Sequence, residues 1–460
     1  MTKQYSDCKQ GALSSGALFC HAPQGEAGEQ ILIHPSRPRW LRGNGTTAWI
    51  AQKLAASKGN AESVAEALAS RYGLPSEIAL ADVSRVREIL ARHGLLEPDT
   101  PEPRSCPALQ SVFLMLTEAC NLACVHCSGG RASRTELPLA TVLRLAEELI
   151  EAGGRKLTLS GGEPLLYTGL ETLLTRVGRR IPVHFCTNGI LIDETWARWV
   201  GEHLEATFQI SLDGPNAEIH DAVRGAGAFE GAMRGLRALQ TAGLGDRITL
   251  AATIQSANLE ALPDMLAWVS QLGVPKLRFL PVRPVGRALD TWEGTGKGLD
   301  VSTYEAFFDR FLSDPGIVPK GLDLSIGLSG FALDLPEGQD HWCTVGHQVV
   351  VAATGKAYPC ACLIQDQCYL GNVLDCSLQD VIKSPRMVEL HAVKFQRKDR
   401  IKACESCTWR AFCQSGCMAE AFQDTGSLWE PDRMCGLRRR AYARAFDVLL
   451  AAPSKASEGS

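Results

Sequence analysis

The stretch EACNLACVHCSGG, residues 118–130, places three cysteines directly after an apolar run that is predicted to be a strand. The cysteines are Cys120, Cys124 and Cys127, in a C-x3-C-x2-C spacing. A structural zinc ion normally takes four protein ligands, often from C-x2-C pairs. Three thiols leave one coordination position of a bound metal open, and an open position indicates chemistry. A zinc ion that takes its fourth ligand from elsewhere in the chain is the alternative.

Composition indicates an ordinary soluble globular protein of two or three domains. The chain has 460 residues, of which 45% are hydrophobic and 21% are charged. Its net charge of -4 gives no basic surface for nucleic acid, and no apolar run approaches the roughly 20 residues that span a bilayer. The polar N-terminal residues lack a secretory signal pattern. We therefore expect a cytoplasmic protein that binds neither nucleic acid nor a membrane.

The chain contains 17 cysteines, which is unusual for a cytoplasmic protein. Thiols stay reduced in the cytoplasm and disulfides are rare there, so clustered cysteines indicate metal ligation. One group lies at residues 120–127 and a second, larger group at residues 343–435. The sequence therefore predicts two metal-binding regions.

Between these regions, short apolar runs alternate with helical patterns, as in a parallel sheet with crossover helices. The predicted strands are 111–117, 156–161, 182–189, 206–214, 247–254 and 276–282. Polar or glycine-bearing groups follow most of them, including SGGEP at 160–164 and SLDG at 211–214. Active sites of parallel α/β folds lie at this carboxyl edge, so we expect the cysteine loop and these groups to meet there.

The motifs CNLACVHC (120–127) and SGGEP together resemble the radical S-adenosylmethionine (SAM) superfamily. The resemblance implies an α/β fold with a partial (β/α)6 barrel, in which Cys120, Cys124 and Cys127 hold a [4Fe-4S] cluster and SAM occupies the open iron. Such a cluster passes one electron to SAM and releases a 5'-deoxyadenosyl radical. The SAM-binding residues implied are Gly161, Gly162, Glu163 and, at the aromatic position of the motif, His126. Ser211 and Asp213 are further candidates, with a strand-end turn or helix cap as the alternative.

The second cysteine group resembles the SPASM extension of radical SAM peptide maturases, which holds two auxiliary iron–sulfur clusters. The resemblance assigns a distal cluster to Cys404, Cys407, Cys413 and Cys435. It assigns a proximal cluster to Cys343, Cys360 and Cys417, with Cys362, Cys368 or Cys376 as the fourth ligand or with an open iron. A structural zinc knuckle is the alternative for residues 404–435.

The sequence pattern of residues 30–97 predicts short extended segments followed by three amphipathic helices. They resemble the winged helix-turn-helix-like PqqD family, the recognition element of ribosomally made and post-translationally modified peptides (RiPPs). Such domains bind a leader peptide by adding it as a strand to a sheet edge. A DNA-binding winged helix or a structural cap on the barrel are the alternatives, and no dense basic face supports the first.

These motifs predict seven segments. They are a flexible N-terminal segment (1–29), the recognition element (30–97), a linker (98–110), the radical SAM barrel (111–300), a bridging region (301–340), the SPASM domain (341–440) and a C-terminal tail (441–460). We expect residues 1–105 to be a separable binding module, without which the barrel keeps its clusters.

The resemblance implies an enzyme that modifies a precursor peptide, with a flavodoxin or ferredoxin as electron donor. Oxidative thioether or carbon–carbon crosslinking is the first expectation. Peptide epimerisation is an alternative, with Cys186, Cys362, Cys368 or Cys376 as hydrogen donor. A tetrapyrrole (haem-type) maturase, an anaerobic sulfatase maturase and a DNA-binding iron–sulfur sensor would each use part of the same set of motifs.

Overall fold

The computed structural model describes residues 18–22, 28–96, 106–129, 132–283, 285–288, 290, 299–326 and 343–451. The chain divides into two compact units. The first, here the recognition unit, includes Met1–Arg104 and Phe395–Ser460. The second, here the barrel unit, comprises Ser105–Leu328 and Cys343–Lys394. The predicted linker lies mostly outside the described residues, as do residues 327–340 of the predicted bridging region.

The recognition unit begins with an antiparallel sheet of three strands, β1 (Phe19–His21), β2 (Gln30–Ile33) and β3 (Trp40–Gly43), in that order. The helices α1 (Gly45–Ala56), α2 (Ala61–Tyr72) and α3 (Ser76–Arg92) follow. Asn44 caps α1, because its side chain accepts a hydrogen bond from the Thr47 amide at 2.8 Å. The three predicted helices are therefore present, whereas β1 forms within the segment that the sequence predicts to be flexible.

The strand β2 is buried on both faces, and each face contributes to a different core. Leu32 packs with the apolar faces of α1, α2 and α3. Its neighbours Ile31 and Ile33 pack instead with Trp409, Phe412 and further residues of the C-terminal segment. Side chains alternate across a strand, so one strand can join two cores. The recognition element thus shares a core with the C-terminal segment, and the separability of residues 1–105 stays a prediction.

The barrel unit contains the six predicted strands, all parallel. They are β4 (Ser111–Met115), β5 (Lys156–Ser160), β6 (Val183–Thr187), β7 (Ala206–Ser211), β8 (Ile248–Ile254) and β9 (Lys276–Pro281). Helices α4 (Leu139–Glu151), α5 (Leu170–Val177), α6 (Glu194–His203), α7 (Ala217–Arg224), α8 (Ala228–Thr241) and α9 (Leu262–Gln271) connect them. The predicted partial (β/α)6 barrel is confirmed.

Four further strands extend this sheet. After α10 (Val301–Ser313), β10 (Asp323–Ile326) pairs parallel with β9. At the other edge β11 (Gln348–Val351) pairs parallel with β4, and β12 (Lys356–Tyr358) and β13 (Gly371–Asn372) follow antiparallel. The sheet of the barrel unit therefore includes strands from the predicted bridging region and from the predicted SPASM domain.

The C-terminal segment is helical. It contains α11 (Leu378–Ile382), α12 (Pro385–Arg400), α13 (Lys402–Glu405), α14 (Arg410–Cys413), α15 (Met418–Thr425) and α16 (Cys435–Ala451). The last helix continues through the start of the predicted tail. Across the described ranges, no helix has the length and hydropathy needed to span a bilayer.

Candidate functional site

The cysteine loop after β4 is held by the backbone of the glycine motif after β5. The Gly162 amide donates to the Thr117 carbonyl at 2.6 Å, and the Glu163 amide donates to the Ala119 carbonyl at 2.8 Å. A Cβ atom on Gly161 would lie 2.4 Å from the Thr117 oxygen, and one on Gly162 would lie 2.2 Å from the Ala119 oxygen. Only glycine permits this approach, so both glycines position the cysteine loop.

Glu163 connects the motif to the next strand end. Its carboxylate is 1% exposed and accepts hydrogen bonds from the Thr187 hydroxyl at 2.7 Å and the Asn188 amide at 2.9 Å. Burial raises the pKa of Glu163 above its ordinary value, against the effect of these hydrogen bonds. The Asn188 side chain also donates to Asn121 in the cysteine loop at 2.8 Å. Three strand ends thus meet at one mouth, as predicted.

The thiols of Cys120, Cys124 and Cys127 lie close enough to influence one another. Burial raises the pKa of Cys120 and of Cys124, and the neighbouring thiols raise both further. Residues from the loop and the glycine motif line the adjoining pocket, including Thr117, Cys120, Cys127, Gly161, Gly162 and Arg287. Neighbouring thiols repel each other when ionised, and a cationic iron centre removes that repulsion, so the chemistry of this donor set fits an iron–sulfur cluster.

Asp213 is fully buried and forms an ion pair with Arg224, a residue that the sequence did not indicate. The Arg224 Nε atom donates to Asp213 Oδ2 at 2.5 Å, and the Thr253 amide donates to Oδ1 at 2.6 Å. Arg224 also lies 3.8 Å from Cys124 Sγ through its Nη1 atom. The carboxylate thus holds the guanidinium beside a thiol of the triad. Ser211, the other candidate on this strand, is half-buried at its end.

His126 is fixed by the same network. Its Nε2 atom lies 3.4 Å from Arg224 Nη2, and its Nδ1 atom lies 3.2 Å from Gln255 Nε2. Burial lowers the pKa of His126 to about 4, so the imidazole is neutral near pH 7. A flat neutral ring held next to the thiols is consistent with the cofactor contact predicted for it.

Arg287 also holds the cysteine loop by hydrogen bonds and was not predicted. Its Nη1 atom donates to the Cys124 carbonyl at 2.8 Å, and its amide donates to the Cys127 carbonyl at 2.8 Å. Gly286 has a φ of 59°, and a Cβ there would lie 2.4 Å from the Ser128 carbonyl oxygen. The sequence GR after β9 was the available signal for this contact.

In the recognition unit, the four cysteines of the predicted distal site line one pocket with Arg438. They are Cys404, Cys407, Cys413 and Cys435. Arg438 is 1% exposed, and its Nη2 atom donates to Asp432 at 2.6 Å. Within the described residues its Nε and Nη1 atoms have no hydrogen-bond partner. Four thiols beside a buried cation with unsatisfied donors fit an anionic iron–sulfur cluster.

Three protein-family models match parts of the chain. A model of the radical SAM superfamily matches residues 114–269. The SPASM iron–sulfur cluster-binding domain matches residues 343–408, and the PqqD model (coenzyme PQQ synthesis protein D) matches residues 29–96. The mycofactocin maturase MftC of Mycolicibacterium smegmatis is 31% identical over 341 residues, which cover 70% of this chain and 81% of that protein.

The chain belongs to the radical SAM superfamily. Two more distant relatives of this enzyme are an AdoMet-dependent heme synthase of Methanosarcina barkeri (26% identical, 70% of this chain and 94% of the relative) and a PqqA peptide cyclase of Granulibacter bethesdensis (27%, 70% and 86%). Its radical SAM and SPASM domains account for the two cysteine regions as sites for iron–sulfur clusters and for SAM.

Solved structures share the fold of this radical SAM enzyme. Native anSMEcpe with bound AdoMet gives a TM-score of 0.60 at 21% identity, covering 74% of this chain and 98% of that one. SuiB of Streptococcus suis, solved with its precursor peptide SuiA, gives 0.55 at 15% identity and covers 92% of this chain and 99% of that one. The fold is therefore that of a radical SAM enzyme across most of the chain.

The predicted proximal ligands of the enzyme are divided between the units. Cys343 and Cys360 belong to the barrel unit, and Cys417 belongs to the recognition unit, so this site remains a prediction. Among the three extra cysteines, Cys362 is the one next to a predicted ligand, since its amide lies 3.4 Å from Cys360 Sγ. The Cys360 thiol and two arginines lower the pKa of Cys362 to about 6.

The remaining two extra cysteines are occupied elsewhere. Cys376 donates to the Asn372 carbonyl at 3.0 Å, and Cys368 is fully buried. Burial raises the pKa of both thiols. Neither shares a hydrogen bond with Cys360 in the described structure, which leaves Cys362 as the candidate with a geometric argument.

Cys186 lies on the inner face of the radical SAM barrel. On β6 the rings of Phe185 and Trp196 pack edge to face at 5.4 Å, so Phe185 points towards α6 and Cys186 points the other way. Burial raises the pKa of Cys186 to about 11, although Arg278 and Lys156 lower it. The thiol therefore keeps its proton at neutral pH.

Proposed function

We propose that this enzyme modifies a ribosomally made precursor peptide. The observation that carries the proposal is a PqqD domain in the same chain as a radical SAM domain and a SPASM domain. Two of its relatives are named as a maturase and as a peptide cyclase. The proposal takes the PqqD domain as the site for the leader peptide and the barrel as the site for the core peptide.

The leader would add to the sheet of the recognition unit. In the described sheet, β1 and β3 are the outer strands, and each has one edge without a partner strand. In strand addition, main-chain hydrogen bonds give affinity and pockets for alternate side chains give specificity. β3 is the longer edge, with four residues from Trp40 to Gly43, all half-buried. We propose this edge as the leader site.

We propose three [4Fe-4S] clusters, one for each cysteine set, with a flavodoxin or ferredoxin as electron donor in the cytoplasm. When bound to Cys120, Cys124 and Cys127, the cluster would supply the electron that cleaves SAM and starts hydrogen abstraction from an unactivated carbon. The chain's own residues hold and orient these groups. Gly161, Gly162 and Glu163 would bind the methionyl part of SAM, and His126 would contact its aromatic part.

Oxidative crosslinking, by a thioether or a carbon–carbon bond, is the reaction that we propose. Loss of a second electron from the substrate requires an acceptor, and the auxiliary cysteine sets provide places for one. For the proximal set we propose Cys362 as fourth ligand, supported by its contact with Cys360.

Epimerisation is the second candidate, and Cys186 favours it. A hydrogen donor must be a protonated thiol inside the barrel, and Cys186 is half-buried and protonated at neutral pH. Haem-type maturation has support from the heme synthase relatives at 26% identity. A tetrapyrrole substrate would leave the PqqD domain without a role, so haem-type maturation ranks last.

The test is anaerobic co-expression of the enzyme with the peptide encoded by a short reading frame beside its gene. Mass spectrometry of the peptide separates the reactions. A crosslink removes a pair of hydrogens, whereas epimerisation in deuterated water leaves the bonds unchanged and introduces deuterium. An enzyme that cleaves SAM but changes no neighbouring peptide, while oxidising a tetrapyrrole, would overturn the proposal.

A further inference from the structure

An arginine on α16 shares a pocket with the distal cysteine set. Arg438 follows Cys435 by three residues on this helix, so the two side chains lie on one face. Both line the pocket together with Cys404, Cys407 and Cys413. Arg438 is fully buried, and an arginine is seldom buried to this degree unless its charge is paired. The pocket side of α16 therefore carries a cation that needs anionic partners.

The Asp432 carboxylate satisfies only part of this guanidinium. Arg438 Nη2 donates to Asp432 Oδ1 at 2.6 Å. The same carboxylate accepts from the Met434 amide at 2.9 Å and, through Oδ2, from the Cys417 amide at 2.8 Å. Among the described residues, Arg438 Nε and Nη1 have no hydrogen-bond acceptor. Two donors of a buried cation are thus available to a group bound in the pocket.

Gly416 holds this ion pair in position. Its φ is 66°, and a Cβ atom there would overlap both the Arg438 guanidinium and the Asp432 carboxylate. Gln414 and Ser415 precede it with φ angles of 51° and 66°. Left-handed backbone at residues other than glycine is uncommon and persists where the surrounding structure determines it. The turn after α14 thus passes close to the ion pair and leaves it little room to move away from the pocket.

The charge of Arg438 acts on the thiols around it. Burial raises the pKa of Cys435, and the Arg438 cation is the main influence in the opposite direction. Burial alone would lower the pKa of Arg438, but ionised Cys413 and the Asp432 carboxylate together raise it. A buried guanidinium next to these thiols therefore stabilises negative charge on their sulfur atoms.

We infer that Arg438 donates hydrogen bonds to the sulfur atoms of the distal iron–sulfur cluster and raises its reduction potential. The inference rests on the proposed function, which assigns a cluster to these four thiols. Reduction adds one electron to a cluster, and net charge and hydrogen bonds to sulfur are among the factors that set its potential. A cation with two available donors favours the reduced, more negative form. The distal cluster is then suited to take the one electron that crosslinking removes from the peptide.

The test is a redox titration of the full-length, anaerobically reconstituted enzyme, followed by electron paramagnetic resonance. The signal of the reduced distal cluster is the one that disappears in Cys407→Ala, which lacks one of its ligands. The titration compares wild type with Arg438→Gln, Arg438→Lys and the control Arg439→Gln. Arg439 is the next residue but is exposed, so water and salt screen its charge. Iron content and the thermal unfolding midpoint check that each variant is folded.

For Arg438→Gln we expect the equilibrium constant for one-electron reduction of the distal cluster to fall about tenfold to a hundredfold, the range for a lost hydrogen bond to a charged group. At about 59 mV per tenfold change, this lowers the potential by about 60–120 mV. Arg438→Lys keeps the charge without the planar fork and should recover part of the shift. Arg439→Gln should stay near the wild-type potential.

Other results would overturn the inference. An unchanged potential in Arg438→Gln, or an equal shift in Arg439→Gln, would show that Arg438 does not tune the cluster, while the proposed peptide modification would stand. Loss of the distal iron from both Arg438 variants would make the arginine a structural residue of the site instead. If Cys407→Ala keeps the iron content and every signal of wild type, the inference and the proposed count of three clusters are both wrong.

Discussion

The two cysteine regions of this enzyme are built in opposite ways. The N-terminal triad lies on a loop that backbone hydrogen bonds hold in place, from Gly162, Glu163 and Arg287. The distal set is instead embedded in an apolar core. Cys407 packs there with Phe412, with β1 and with β2, the last of which lies in the PqqD domain. The first site is open at a pocket mouth, and the second is enclosed by side chains.

This difference separates what each site depends on. The triad needs the strand ends of the barrel unit, whereas the distal set needs the recognition sheet. His21 of β1 reaches Asp447 of α16 at 2.7 Å, and Arg410 donates to the Pro35 carbonyl at 2.6 Å. The PqqD domain and the four distal cysteines therefore belong to one folded unit, although the sequence places them about 300 residues apart.

The largest effect is expected at the open site. Changing Cys124 to Ala should abolish SAM cleavage and remove about four irons per chain, because three thiolates are the minimum set for the cluster. The distal iron should remain, since it belongs to the other unit. Iron analysis and 5'-deoxyadenosine formation check both statements, with Cys106→Ala, an exposed cysteine outside either set, as control. Persistent SAM cleavage by Cys124→Ala would remove the triad from the mechanism.

The second prediction concerns the distal cysteine set and removes two strands that pack against its apolar core. A chain that begins at Cys106 lacks β1 and β2, which leaves Phe412, Tyr442 and Phe446 without their apolar cover. We expect it to keep SAM cleavage but to lose the distal iron, about four atoms per chain. The expectation from the sequence, that the barrel keeps its clusters without residues 1–105, is kept for the cysteine triad of the barrel unit. A truncated chain with full iron content would show that the recognition sheet is dispensable for the distal site.

Two substitutions at adjacent positions of β2 test whether its two faces belong to different cores. Leu32 and Ile33 are adjacent and both 0% exposed, but they belong to different cores. Each change to Ala should cost about 2–5 kcal/mol of local stability, the usual range for truncating a buried aliphatic residue. Ile33→Ala should lower distal iron occupancy, and Leu32→Ala should weaken leader binding with less effect on iron. Equal iron loss in both variants would contradict the division of β2 between two cores.

The next prediction concerns the fourth proximal ligand. If Cys362 is that ligand, Cys362→Ala should lose iron from the SPASM domain, while Cys368→Ala and Cys376→Ala keep it. Iron analysis with Mössbauer or paramagnetic resonance spectroscopy resolves the missing cluster. A Cys362→Ala enzyme with full iron content would leave the proximal site open to a substrate thiolate.

The sequence predicted most of the barrel because its signals are local. The six strands and the SGGEP motif follow from apolar runs and from residues adjacent in the chain. Arg224, Gln255 and Arg287 were not predicted because their roles come from tertiary contacts with the cysteine loop. The shared core of β2 was not predicted for the same reason, since its alternation shows two buried faces but not which segment covers the second.

The smallest expected effect is on the pH dependence of the unfolding free energy, through His184 of the barrel unit. Burial, together with the charges of Lys156 and Arg278, lowers the pKa of His184 to about 4. In the unfolded chain a histidine titrates near about 6.5. Between these values the unfolded chain binds a proton at His184 that the folded chain does not, so the unfolding free energy falls as pH falls through this window. His126 and His220, with pKa values also lowered to about 4, contribute in the same direction.

His184→Gln should therefore lose about 1 kcal/mol less stability per pH unit than wild type below about pH 6. Urea unfolding at several pH values measures these slopes, with His203→Gln, at the exposed end of α6, as control. Equal slopes for wild type and His184→Gln would show that the folded barrel accepts a proton at this histidine, and the lumen would then be less positive than its two cations indicate.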